Sequence, residues 1–155
     1  MRTISKKTKY GLQALTTLAR KYGEGPVLIA TLANEEDIPI KFLELILLDL
    51  KNGGILESKK GPGGGYLLSR PPDKITIGSL IRLMEGPLAP LPCASETAYR
   101  PCEECRDVKH CGTRMVMREV RDAIAHILDR TTLQDVVDRV EASKARSEEP
   151  LMYYI

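Results

Sequence analysis

The chain has 155 residues, of which 43% are hydrophobic, with one Phe and no Trp; this allows one domain plus an extension around an aliphatic core. Residues 1–70 carry a net charge of +4 and residues 71–155 a net charge of −2, so the basic first part suits a polyanion and the second suits protein contacts. No signal-peptide pattern or long apolar run is present, and we expect a cytoplasmic protein without a membrane span.

The first 22 residues predict a helix with a basic start. Ser5 is placed to cap it, and leucine and alanine then recur at helical spacing. A glycine- and proline-containing break follows, and a second helix is expected over residues 27–33. The candidates for phosphate contacts, which set register without reading sequence, are Arg2, Lys6, Lys7 and Lys9. The alternative is a core helix whose basic start is only solvated.

A third helix is predicted over residues 39–52. Its core-facing stripe is expected to consist of Leu43, Ile46, Leu47 and Leu50. Lys41, Phe42 and Glu44 lie early in the helix, where base edges are usually read. Glu44 is suited to accept a hydrogen bond from a cytosine amino group, and Phe42 to pack on a thymine methyl. The alternative places Phe42 in the core and leaves Glu44 as a solvated charge.

A basic, glycine-rich turn between two short apolar runs predicts a hairpin after this helix. Its candidate DNA contacts are Lys59, Lys60, Gly61, Gly63 and Gly64. Glycine permits positive φ and close backbone approach to a ligand. A phosphate-binding loop would need a helix directly after the glycines, whereas residues 66–72 read as a strand and then a breaker. Two helices and a basic hairpin predict a winged helix-turn-helix domain over residues 1–72.

The second half of the chain contains a proline-rich loop over 87–112, a long amphipathic helix over 113–130 and a short helix over 133–140. The apolar stripe of the long helix consists of Val116, Val120, Ile124 and Ile127. A second copy of the helix is an economical partner for this stripe in a twofold dimer, and packing within the chain is the alternative. We therefore expect a cysteine-loop sensor and dimerisation region over 73–140 and a flexible tail over 141–155.

All four cysteines lie within 19 residues, at Cys93, Cys102, Cys105 and Cys111. In a reducing cytosol such a cluster favours metal binding or redox chemistry over structural disulfides. Thiolates select zinc or iron–sulfur clusters. A structural zinc site usually has two close-spaced cysteine pairs, and only one is present here, which favours an iron–sulfur cluster. Structural zinc and a thiol–disulfide switch without metal remain the alternatives.

The sequence resembles the IscR/NsrR/CymR family of winged-helix regulators, also called the Rrf2 type, over about residues 1–140. The motifs that carry the resemblance are Thr8-Lys9-Tyr10-Gly11-Leu12, Pro39-Ile40-Lys41-Phe42-Leu43-Glu44, Gly61-Pro62-Gly63-Gly64-Gly65-Tyr66, Glu85-Gly86-Pro87 and Cys111-Gly112-Thr113-Arg114. The resemblance implies a homodimer that binds a palindromic operator in double-stranded DNA. It also implies crossed long helices and a cysteine loop near the partner's DNA-binding domain.

In cluster-binding members of that family three cysteines hold iron and the fourth ligand varies. The best matches to the three are Cys93, Cys105 and Cys111. The two fourth-ligand positions that the family uses carry Arg114 and Lys9 here, neither of which is a ligand type. We therefore infer that Cys102 is the fourth ligand of a 2Fe–2S or 4Fe–4S cluster.

These features predict a transcriptional regulator whose operator binding is controlled by an iron–sulfur cluster in the loop from Cys93 to Cys111. A protein–protein adaptor is the rival hypothesis, because Leu45 and Leu48 lie outside the core stripe and would be available for docking. An enzyme is not expected. The sequence has two histidines, no Walker loop and no Ser/His/Asp or Cys/His arrangement.

Overall fold

The computed structural model describes residues 3–148, apart from the side chain of Glu148. Within that range lie six α-helices and one antiparallel hairpin, in the order α1, α2, α3, β1, β2, α4, α5 and α6. Their bounds are Lys6–Arg20, Ile29–Glu35, Ile40–Asn52, Leu56–Lys59, Gly65–Leu68, Ile77–Glu85, Gly112–Arg130 and Leu133–Glu148. The predicted class, mainly helical with a small hairpin, is confirmed.

The helix α1 begins where the sequence predicts. The hydroxyl of Ser5 accepts a hydrogen bond from the N–H of Thr8 at 3.2 Å, which satisfies one of the free donors of the first turn. Further along, a Cβ at Gly11 would lie 2.4 Å from the terminal methyl of Met84 in α4. A glycine at this position therefore allows α1 and α4 to approach each other closely.

The inner stripe of α3 forms the centre of the core. Its members are fully buried and are the residues that the sequence predicts: Leu43, Ile46, Leu47 and Leu50. They belong to one cluster with buried side chains of α1, α4 and the hairpin. Burying each such side chain is worth about 1.5–3 kcal/mol relative to exposing it. The stripe therefore decides which face of α3 is left for solvent.

The hairpin is joined to the chain segment before α2. Its strands pair from Leu56 opposite Leu68 to Lys59 opposite Gly65. Val27 then adds to the second strand, because it exchanges two hydrogen bonds of 2.8 Å with Tyr66. Val27 is consequently extended, and α2 begins two residues later than the predicted start at residue 27. The prediction missed a pairing partner that lies far away in sequence.

The helix α5 is the longest of the described helices and lies against α4 and a 3₁₀ turn over Pro92–Ala94. Arg82 of α4 donates two hydrogen bonds to the carboxylate of Asp129 in α5, at 2.5 and 2.9 Å. Among residues 3–148, no helix has both the length and the apolar content needed to cross a membrane.

The helix α6 is longer than predicted. Its start is capped as expected, because the N–H of Thr132 donates to Asp135 at 2.8 Å and the N–H of Asp135 donates to the Thr132 hydroxyl at 3.1 Å. The predicted end at residue 140 is wrong, since the helix continues to Glu148. Residues 141–148 contain good helix formers and no Gly or Pro, which explains the continuation. Residues 149–155, the rest of the expected flexible tail, lie outside the described range.

Candidate nucleic-acid interface and cysteine segment

The outer face of α3 carries both charged and apolar side chains. Lys41 and Glu44 are exposed, as a base-reading role requires. Leu45 and Leu48 are 60% and 47% exposed on the same side of the helix, at the helical spacing that places neighbours on one face. We call these four residues the α3 face. It lies opposite the buried stripe, on the helix against which the hairpin packs.

Phe42 lies in the packing between α1 and α3. It is half-buried, and its ring meets the ring of Tyr10 edge-on with centroids 5.6 Å apart. The ammonium group of Lys6 lies 5.4 Å from the centroid of the same Tyr10 ring, a cation–π distance. The placement of Phe42 therefore differs from the predicted thymine contact and matches the core alternative. It also brings Lys6 close to the start of α3.

The predicted basic contacts of the first helix point in different directions. Lys7 forms an ion pair with Asp49 near the end of α3, which already offsets part of its charge. Lys9 lines a groove between α1 and α6, together with Val136. Arg2 lies outside the described residues. Of the three described lysines, Lys6 is thus the one that lies beside the ring pair at the start of α3.

The hairpin presents its basic and glycine residues unequally. Lys59, Lys60, Gly61 and Gly63 are exposed at the turn, where Gly61 has φ +86° and Gly63 has φ +71°. Gly64 is buried, and a Cβ there would lie 2.3 Å from the carbonyl oxygen of Lys59. The prediction that Gly64 contacts DNA therefore needs correction, because this residue closes the turn and has little surface left for a phosphate.

The four cysteines occupy different environments. Cys93 is buried in the Pro92–Ala94 turn, Cys102 is exposed, and Cys105 and Cys111 are half-buried. The thiols of Cys105 and Cys111 lie near enough to influence each other's pKa, and the thiol of Cys105 donates a hydrogen bond to the carbonyl oxygen of Asp107 at 3.4 Å. In the part of the chain that the structure describes, no three or more His, Cys, Asp or Glu side chains are grouped so that they could hold a metal ion. The structure thus brings together one pair rather than the predicted set of four.

The two paired thiols differ in acidity because their surroundings differ. The backbone N–H of Arg114 donates a hydrogen bond to Cys111, and with the N–H of Thr113 and the thiol of Cys105 it lowers the pKa of Cys111 below its ordinary value. Loss of hydration, followed by the hydrogen bond to Cys111, raises the pKa of Cys105. Cys111 is therefore the more acidic thiol of the two, at the N-terminal end of α5, a position typical of reactive cysteines.

Two arginines of α5 hold the turn that contains Cys93. The guanidinium group of Arg114 donates to the carbonyl oxygen of Cys93 at 2.8 Å, and that of Arg121 donates to the carbonyl oxygen of Ala94 at 2.5 Å. Arg121 is only 7% exposed and also lies 3.2 Å from the carboxylate of Glu96. Sequence reasoning missed this role, although two arginines seven residues apart on the helix after a cysteine loop were a usable signal.

Comparison with known proteins identifies the family. The Rrf2 family, described as an iron-dependent transcriptional regulator, matches residues 4–139. The chain is 40% identical over 137 residues to an rrf2-like HTH-type transcriptional regulator of Rhodobacter capsulatus, across 86% of this chain and 91% of that protein.

Two solved structures agree in fold. CymR (YrzC), the global cysteine regulator of Bacillus subtilis, gives a TM-score of 0.75 at 34% identity and covers 90% of this chain and 98% of its own. IscR of T. potens gives a TM-score of 0.73 at 30% identity and covers 99% of this chain and 97% of its own. The chain therefore belongs to the Rrf2 family, and it is a DNA-binding transcriptional regulator rather than an enzyme.

Proposed function

We propose that this regulator binds a palindromic operator as a homodimer and that the segment from Cys93 to Cys111, here called the cysteine segment, controls that binding. The observation that carries the proposal is the pair of hydrogen bonds from Arg114 and Arg121 of α5 to the turn around Cys93. Through these bonds a chemical change in the cysteine segment acts directly on α5. This helix is the one that we expect to join two copies of the chain.

The dimer proposal is supported by the exposed apolar side chains of α5. Val116 is 53% and Ile127 is 62% exposed, and Val120 and Ile124 of the same stripe are half-buried. Such a stripe is costly in water and is self-complementary across a twofold axis. Pairing two α5 helices would set the distance between two α3 faces, and that distance must match the spacing of operator half-sites.

Operator contact is assigned to the α3 face and to the exposed lysines of the hairpin. In this proposal the exposed Lys41 and Glu44 of α3 contact base edges, while the exposed Lys59 and Lys60 contact phosphates. Lys6, near the start of α3, is a further phosphate contact. Each phosphate that a lysine neutralises releases counterions, so affinity for duplex DNA should fall steeply as salt rises.

An iron–sulfur cluster is one form that the control could take. Four thiols are the donor type that such clusters require, and the ligands would be Cys93, Cys102, Cys105 and Cys111. The thiols have the right chemistry for a cluster, but within residues 3–148 no three of them are grouped closely enough to hold a metal ion. Binding a cluster would therefore require the cysteine segment to bring these thiols together.

Arg114 connects the cysteine segment to α5, whether that segment binds a cluster or forms a disulfide. Its side chain donates a hydrogen bond to the carbonyl oxygen of Cys93, and its backbone N–H lowers the pKa of the neighbouring Cys111 thiol. A reaction that moves Cys111 relative to Cys93 would therefore change the surroundings of this one residue. Because Arg114 lies in the first turn of α5, that movement is passed to the helix rather than absorbed by the loop.

A thiol switch without metal is the second candidate, and it is favoured by the proximity of Cys105 and Cys111, whose thiols influence each other's pKa. A peroxide would accept two electrons and two protons from the two thiols and would be reduced to water. One S–S bond would form between the two cysteine sulfurs. Cys111, the more acidic thiol, would attack the peroxide first, and Cys105 would then displace water from the oxidised sulfur. The bond would remove the acidic thiol that lies at the N-terminal end of α5.

Anaerobic purification of the full chain distinguishes these forms. An iron–sulfur cluster predicts a coloured protein with bound iron, and changing Cys93, Cys105 and Cys111 together to Ser should abolish both. Colourless protein containing zinc would support structural zinc and refute the cluster. Protein without metal that forms a reversible Cys105–Cys111 disulfide under peroxide would support the thiol switch, with the Cys102→Ser variant as the matched control.

Sedimentation of the full chain tests the dimer. The Ile127→Asp variant should convert the dimer to monomer, because it places a charge in the apolar stripe. The neighbouring His126→Asp variant has the same new charge off the stripe and should leave the dimer intact. A wild-type monomer, or equal effects of both variants, would rule out pairing through this face.

A further inference from the structure

The α3 face contains two leucines that are not part of the hydrophobic core. The buried stripe of α3 already supplies the core, and Leu45 and Leu48 remain 60% and 47% exposed on the other side. Scattered exposed leucines are common, but these two lie one helical turn apart on the helix face that we assign to operator contact. An apolar pair at this position calls for an apolar partner.

The charged side chains on and near the α3 face indicate which class of molecule binds there. Lys41 lies on the same face, Lys6 is held near the start of α3 by the Tyr10 ring, and Lys59 and Lys60 are exposed on the adjoining hairpin. These four lysines outnumber Glu44, the one carboxylate of the α3 face, and such a surface suits a polyanion that also offers apolar groups. Duplex DNA has this combination in its major groove, where the 5-methyl group of thymine is the apolar feature between two rows of phosphates.

We infer that Leu45 and Leu48 read thymine methyl groups in the major groove of the operator. The inference rests on the proposed operator contact by the α3 face and adds the base feature that is recognised. Each leucine replaces water around one methyl group, which discriminates thymine from every base that lacks a methyl at this position. Leu45 and Leu48 are thus specificity residues, whereas the surrounding lysines bind any sequence.

The test uses the full chain and a duplex selected from a random library. Each thymine of the selected half-site is replaced in turn by uracil, which removes the methyl group and keeps base pairing. At one or two positions the wild-type protein should lose about fourfold in affinity, the effect of burying one methyl group. The variants Leu45→Ala and Leu48→Ala should each bind the thymine and uracil duplexes equally at one of those positions.

The Leu83→Ala variant is the matched control. Leu83 is 44% exposed on α4, so its truncation removes a comparable apolar surface away from the α3 face. This variant should keep the full thymine preference. Thermal melting of all three variants checks that they remain folded, as expected for truncations of exposed side chains.

Other results would overturn the inference. Equal binding of every uracil duplex by the wild-type protein would show that no methyl group is read. A thymine preference that persists in both leucine variants would assign the reading to another residue. Unchanged duplex affinity in both variants would remove these leucines from the DNA and favour a protein partner. Failure to select any duplex would instead refute the proposed operator contact itself, together with the inference.

Discussion

Glu85 accepts a hydrogen bond of 2.8 Å from the backbone N–H of Ser5. The same carboxylate oxygen accepts a hydrogen bond from the hydroxyl of Thr8, one turn into α1. Glu85 is the last residue of α4, directly before the loop that leads to the cysteines, and Ser5 is the cap of α1. The end of α4 is therefore fastened to the start of the helix that carries Lys6.

Replacing Glu85 with Ala should loosen the start of α1. The change removes two hydrogen bonds to a carboxylate and a negative charge at a helix N-terminus, and we expect the free energy of unfolding to fall by about 1–2 kcal/mol. Urea unfolding measures this loss. Glu24→Ala, which removes an exposed carboxylate in the turn after α1, should change stability by less than about 0.5 kcal/mol. Equal losses in the two variants would contradict a specific role for Glu85.

Replacing Arg121 with Ala should release the turn that contains Cys93. The variant leaves the buried carbonyl oxygen of Ala94 without its guanidinium donor, and a loss of about 2 kcal/mol or more is expected. Trypsin should also cut the cysteine segment faster, because that segment opens more often. The exposed Arg118 on the same helix provides the control, since its removal should alter neither measurement. Unchanged proteolysis in the Arg121 variant would argue against the clamp.

The ion pair between Arg82 and Asp129 should make stability depend on acid pH. The hydrogen bonds from Arg82 lower the pKa of Asp129 in the folded state below the unfolded value of about 3.9. The pair therefore stabilises the fold fully above that value, and its contribution is lost as pH falls through the folded-state pKa.

This direction of the pH dependence predicts how the stability of the Asp129→Asn variant changes with pH. At pH 7 the variant should be less stable than the wild type by up to about 1 kcal/mol, the range for a solvent-accessible pair. The difference should shrink as pH falls below about 4. Urea unfolding between pH 7 and pH 3 tests this, with Arg82→Gln and the double variant completing a mutant cycle. A difference that does not change with pH would assign the loss to packing instead.

Alanine substitutions at two glycines of the hairpin distinguish the cost of backbone strain from the cost of a steric clash. At Gly65 (φ +143°) a Cβ would lie 2.2 Å from the carbonyl oxygen of Val27, whereas at Gly61 (φ +86°) no atom lies within 4 Å. Gly61→Ala should therefore cost only the strain of the left-handed conformation, about 1–2 kcal/mol. Gly65→Ala should cost more and should open the hydrogen bonds between Val27 and Tyr66, which amide exchange detects. Equal costs would show that the hairpin can move away from Val27.

The sequence was sufficient for the elements whose signals are local. The helical spacing of Leu43 and its neighbours predicts both α3 and its buried face, and Ser5 predicts the start of α1 because a cap is recognised from adjacent residues. The continuation of α6 past residue 140 was also locally encoded in good helix formers. The charged composition of residues 141–148 led to the incorrect prediction of a flexible tail.

Long-range contacts could not be inferred in this way. The sequence does not reveal that Val27 pairs with Tyr66. Nor does it reveal that Lys7 forms an ion pair with Asp49, or that Gly64 is buried within the hairpin turn. Each of these depends on how the chain packs in three dimensions, and the placements of Lys7 and Gly64 change which predicted DNA contacts remain available.

The sequence by itself determined the family, the presence of a helix followed by a basic hairpin, and the grouping of four thiols within one segment, since each is written in adjacent residues. Only the tertiary structure decided that Cys93 is buried in a turn held by two arginines while Cys102 is exposed, and that Leu45 and Leu48 face solvent. The physical reason is that burial and hydrogen bonding are settled by packing between distant segments, which local spacing does not specify.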